Sequence, residues 1–157
     1  MNITSYVPGG FEGDVVQVEI DLRRSIPGME IVGLPDGAVK EARERVRVAI
    51  KNSGFSFPKE RILVNMAPAG IKKEGASFDL SIALAVLLDS ATLSGYGGYL
   101  TPSHGPSHGP SHGPDQTNCA SVMVLGELQL SGAVRPVKGV LSAVASGLEH
   151  GIKHFIV

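Results

Sequence analysis

An α/β domain, a mixed β-sheet packed by about three helices, is the fold this sequence predicts. Three observations carry that expectation. Apolar and polar residues alternate strictly from Val16 to Leu22, which is strand periodicity. Val39, Ala42, Val46, Ala49 and Ile50 recur at three- and four-residue steps, the stripe of an amphipathic helix. The run from Phe78 to Leu88 is almost wholly apolar after Asp79. It falls short of the roughly 20 residues a bilayer-spanning helix needs, so it reads as a helix buried on all sides.

Composition bounds the rest. At 157 residues the chain suits one domain, residues 1–157, with a sizeable core. With 43% hydrophobic residues, 5% aromatic and no Trp, that core is aliphatic. A net charge of −1 supplies no global attraction to nucleic acid, so any such contact needs a local patch. The single Cys119 cannot form an internal disulfide, and nothing at the start resembles a secretory signal. A cytoplasmic protein without membrane contact is the corresponding expectation.

Taken in order, Ile3 to Val7 forms a short strand that stops at Pro8-Gly9-Gly10. Val16, Val18, Ile20 and Leu22 then face the core, with Gln17, Glu19 and Asp21 opposite. A turn at Arg23 to Gly28 leads into Met29–Val32, expected as the antiparallel partner of the strand before it. Asp36 is placed to cap a helix over 38–53, and Gly54 to end it in the left-handed conformation. Lys40/Glu44 and Glu41/Arg45 are spaced to pair across one turn, worth about 0.2–0.5 kcal/mol each. Arg61 to Met66 alternates as another strand, broken at Ala67-Pro68-Ala69-Gly70. The apolar helix follows over 79–89.

Residues 95–118 differ in kind. Pro-Ser-His-Gly occurs three times in succession from Pro102, too rich in Pro and Gly to bury a core, and predicts a flexible excursion. His104, His108 and His112 are metal-ligating in type, but nothing holds them at fixed geometry, so no metal site is assigned. Ser121 to Leu125 reads as a buried strand, a second strand starts at Leu128, and Ser131-Gly132 fits a turn. Pro136 suits the first position of a helix over 137–149, with Val137, Val140, Leu141, Val144 and Leu148 as its stripe. Gly151 closes it, and Ile152 to Val157 begins a strand, the pattern of a piece of a longer protein.

Several strings extend this reading. They are Ile31-Val32-Gly33-Leu34-Pro35-Asp36, the helix Val39 to Arg47, Asn52-Ser53-Gly54-Phe55, Asn65-Met66-Ala67-Pro68-Ala69, Lys73-Glu74-Gly75, Phe78-Asp79-Leu80 and Gly126 to Gly132. Together they resemble the N-terminal domain of magnesium-chelatase-like AAA+ ATPases, the group of YifB and the competence protein ComM. The likeness spans the chain except the Pro-Ser-His-Gly stretch. It implies a two-layer fold shared with the Lon protease domain and with domain 2 of a small-subunit ribosomal protein. It implies also an ATPase module elsewhere in the parent, using ATP and magnesium, with that module and neighbouring subunits of a hexamer as partners. DNA processing in natural transformation is the implied setting. No G-x-x-x-x-G-K-[ST] string occurs here, so this segment has no phosphate cradle and no cofactor of its own.

By the same resemblance, Ser77 in Gly75-Ala76-Ser77-Phe78-Asp79 falls where a Lon-type peptidase has its nucleophile. A serine needs a base to take its proton. The place of that lysine is held by Leu141, and Lys138 lies one helical turn earlier. Asp79 puts bulk and negative charge where an oxyanion would develop. Capping of the apolar helix by Ser77 or Asp79 is the plainer role, and Ser-Lys peptidase activity is the alternative to a non-catalytic domain.

Charge suggests a second chemistry. Lys40, Arg43, Arg45, Arg47 and Lys51 against Glu41 and Glu44 leave the first helix at +3, and Lys59, Arg61, Lys72 and Lys73 extend the patch. DNA is one reading of that face; a solvated, internally salt-bridged surface is the other. A third role, coupling or assembly ahead of a ring-forming ATPase, follows from the resemblance alone.

Overall fold

The alternating segments become paired strands in the computed structural model, which describes residues 2–9, 13–93 and 121–157. In chain order its elements are β1 (Asn2–Val7), β2 (Asp14–Arg23), β3 (Gly28–Val32), α1 (Gly37–Asn52), β4 (Arg61–Ala67) and α2 (Asp79–Leu93). There follow β5 (Ser121–Val124), β6 (Glu127–Leu128), β7 (Val134–Arg135), α3 (Val140–Glu149) and β8 (His154–Ile156). The flexible excursion expected at 95–118, with His104, His108 and His112, lies outside the described residues.

Six strands form one mixed sheet in the order β3-β4-β2-β1-β5-β8, and β6 and β7 make a separate hairpin. The sequence pattern pairs β3 with β2, and the structure corrects this. β3 runs parallel to β4, with Ile31 opposite Val64, while β4 is the strand antiparallel to β2. The cause is α1, a crossover that returns the chain beside β3 in the same direction.

α1 follows its periodicity closely. Asp36 caps it, its carboxylate accepting the Val39 N–H at 2.7 Å. The five stripe residues are its buried ones. Gly54, at φ +84°, ends it, with the Phe55 N–H donating back to the Ile50 carbonyl. α2 is buried as expected, with no exposed residue from Phe78 to Ser90. Neither Ser77 nor Asp79 caps it by its side chain. Instead the Leu80 N–H donates to the Gly126 carbonyl at 3.0 Å, and the Gly126 N–H donates to the Ser77 carbonyl. The turn after β5 therefore supplies the cap, and the Asp79 carboxylate is turned elsewhere.

Faces of the sheet are told apart along β5. Val122 and Val124 enter the core beneath α1 and α2, while Met123 packs with Tyr6, Leu125, Ala143 and Ile152 beneath α3. Two layers thus become three over the β1-β5-β8 end. α3 departs most from its sequence pattern. It begins at Val140 after Gly139, leaving Pro136 outside, and its buried residues are Ala143 and Gly147. Leu141 and Leu148, expected inside, are 85% and 59% exposed. The helix lies too close to the sheet for bulk. A Cβ on Gly147 would meet the Phe155 ring at 2.7 Å, so small residues face in and leucines face out.

Candidate functional site

Helical geometry sorts the cations of α1 into two groups. Lys40, Arg43, Arg47 and Lys51 fall within one narrow strip, three, four and four residues apart, and all are exposed. At 1.5 Å rise per residue the strip is about 16 Å long. Among the described residues none of these four is in an ion pair, although Glu41 and Glu44 share the helix. Lys40 and Glu44, spaced to pair, do not. The Arg47 guanidinium lies over the Phe57 ring, 5.8 Å from its centre.

Arg45 points the other way. Its guanidinium donates to both oxygens of Asp79, at 2.9 and 3.0 Å, and to the Ala38 carbonyl at 3.1 Å. Glu41 stands 3.8 Å from it, the one of the two expected helix pairs that forms. Asp79 is fully buried and accepts a further bond from the Leu128 N–H. Burial pushes the Asp79 carboxyl up from its ordinary value, and the Arg45 hydrogen bond pulls against it. That same bond raises the Arg45 pKa, so the guanidinium keeps its proton. The pair ties α1 to the start of α2 and to β6.

Three more sequence candidates leave the patch. Lys73 is fully buried, and its ammonium donates to the Gly33 carbonyl at 2.6 Å and to the Pro68 carbonyl. Burial lowers its pKa below the ordinary 10.5. Its backbone ties down the same segment before α1, its carbonyl accepting from the Asp36 N–H and its N–H donating to the Leu34 carbonyl. Lys72 is exposed and paired with Glu74 at 2.6 Å, which raises its pKa. Arg61 is paired with Glu30 at 3.0 Å.

The peptidase candidates remain unconnected. Ser77 is half-buried before α2, Lys138 is exposed ahead of α3, and no hydrogen bond joins them. Leu141, expected to stand in place of a catalytic lysine, lines a cleft of about 310 Å³ with Tyr6, Ser142 and His150. Sequence reasoning missed the Arg45–Asp79 pair and the Phe57 platform. The first spans 34 residues and has no local signal. The second was signalled by Phe57 lying three residues beyond Gly54, where a basic helix ends.

Residues 18–99 and 111–157 match the family model described as subunit ChlI of Mg-chelatase. The chain belongs to this family. It is 36% identical over 142 residues to YifB of Salmonella typhimurium, and 35% identical over 144 residues to YifB of Escherichia coli. These matches cover 90% and 92% of this chain and 24% of each relative. Competence protein ComM of Haemophilus influenzae is 36% identical over 135 residues, 86% of this chain and 22% of that protein. The chain thus spans about a quarter of the length of the curated relatives it matches.

The family's name raises magnesium, and the buried or half-buried carboxylates among the described residues do not fit a site for it. Asp36 accepts N–H groups of Val39 and Gly75, and Asp79 is held by Arg45 and Leu128. Among the described residues no group of three His, Cys, Asp or Glu is placed to hold a metal ion. Nor is any described helix long and apolar enough to cross a membrane.

Proposed function

We propose that this segment is a non-catalytic domain of a larger magnesium-chelatase-like AAA+ ATPase, one that couples or assembles its ring and contacts DNA through the outer strip of α1. In this reading the parent is a cytoplasmic DNA-processing enzyme, and the domain keeps a Lon-type shape without its Ser-Lys pair. One observation supports it above the others. Four cations stand in line on α1 without carboxylate partners among the described residues, whereas Arg45 beside them is paired. A salt-bridged solvated face would have neutralised them; an open row suits phosphates, with which unpaired Lys and Arg exchange counterions.

The experiment is deletion from the parent. A full-length relative lacking the segment equivalent to residues 18–157 is expected to lose DNA-stimulated ATP hydrolysis, ring assembly, or both. Behaviour unchanged in both would remove the coupling role. Stoichiometric labelling of Ser77 by a fluorophosphonate would replace it with the peptidase reading.

A further inference from the structure

The α1 strip runs beside a cleft of about 200 Å³ whose lining includes Pro27, Met29, Arg43, Glu44, Arg47 and Phe57. We propose that this cleft takes one nucleobase from a single-stranded nucleic acid whose phosphates follow the strip. The inference rests on the nucleic-acid reading of that strip and adds to it a chemical class, single strands with accessible bases.

Size favours a single planar ring, since clefts for drug-sized ligands begin at about 300 Å³. The walls are of two kinds. Pro27, Met29 and Phe57 supply apolar surface, and Arg47 already lies over the Phe57 ring, 5.8 Å from its centre. Aromatic rings and guanidinium planes are the surfaces on which unstacked bases settle, whatever their sequence. Among the described residues no carboxylate neutralises Arg43 or Arg47, and Glu44, which lines the same cleft, has no cation partner. A carboxylate among arginines is poorly explained by phosphate contact alone. It suits the exocyclic amine of cytosine, or of adenine, which donates a hydrogen bond to the carboxylate. Duplex DNA keeps its base faces stacked, so the cleft selects single strands. An acidic peptide is drawn by the same arginines but repelled by Glu44, and it brings no ring.

The test uses the 157-residue chain and fluorescently labelled oligonucleotides at low salt. Intact oligo-dC is expected to bind about ten-fold tighter than the same strand with abasic sites, in line with one stacked base. Phe57→Leu, which preserves most of the apolar volume, is expected to lose most of that ten-fold difference. Glu44→Gln is expected to erode the preference of oligo-dC over oligo-dT. The intact-versus-abasic comparison on the unaltered protein does not depend on any variant folding. Equal affinity there, with binding still weakened by Lys51→Ala, overturns the cleft and leaves the strip standing. Absence of binding by any strand overturns both. Displacement of oligo-dC by a polyglutamate peptide at similar concentration would also overturn it, in favour of an acidic protein partner.

Discussion

Arg45 and Arg47 are two residues apart on one helix and have opposite fates. Arg45 turns inward to a fully buried carboxylate, and with Lys73, held by two carbonyls, it forms the charged interior of this domain. Arg47 turns outward with Lys40, Arg43 and Lys51 into a row that forms no ion pair among the described residues. Counting positive residues along α1 treats them alike. The difference shows that a partner across the fold, not sequence position, decides whether a cation holds structure together or remains available to a ligand. The interior group should therefore govern stability with no effect on binding, and the outer group the reverse.

The most damaging way to test that separation is Asp79→Ala. It strips Arg45 and the Leu128 N–H of their acceptor and is expected to cost about 3 kcal/mol, the low end for a broken buried pair because Arg45 keeps part of its surface in water. Urea unfolding reads that loss, and the DNA affinity of the remaining folded fraction should not change. Lys73→Met comes next, at about 2 kcal/mol for two lost charge-assisted bonds, again with unaltered binding. Lys40→Ala combined with Lys51→Ala should move stability by no more than about 0.5 kcal/mol while weakening DNA binding several-fold. If instead the pair unfolds the domain, the two groups are not separable as described.

The smallest effect is in pH. Lys73 has a folded pKa below its unfolded 10.5, so between those two values the unfolded chain holds more protons. Stability at this site then rises with pH across that window, and is lowest where the buried amine must stay charged. Comparing unfolding of the wild type with Lys73→Met across the alkaline range isolates it. A difference that stays constant with pH would show the amine to be unperturbed.

Much of this was legible in the sequence where the forces are local. The stripe of α1, its Asp36 cap and its Gly54 terminus all act within one or two helical turns, and each appears where the pattern puts it. The alternation of β2 likewise identifies its buried Val16 and Val18. Strand partners are another matter. β3 neighbours β4 across a 28-residue interval occupied by α1, and nothing in Met29–Val32 records that. α3 misled for a physical reason: periodicity selects bulky residues, but a helix pressed onto Met123 and Phe155 must present Ala143 and Gly147. Of the candidate cations, Lys73 was misread because a buried lysine between carbonyls looks, in sequence, like one of a surface pair with Lys72.

Salt dependence of single-stranded DNA binding tests the central claim most directly. If the four cations of the outer strip each neutralise one phosphate, the logarithm of the association constant should fall against that of salt with a slope of about −3. Loss of Lys40 and Lys51 together should halve that slope, and Lys73→Met should leave it alone. A flat titration, or a slope indifferent to the strip and sensitive to Lys73, would contradict the account.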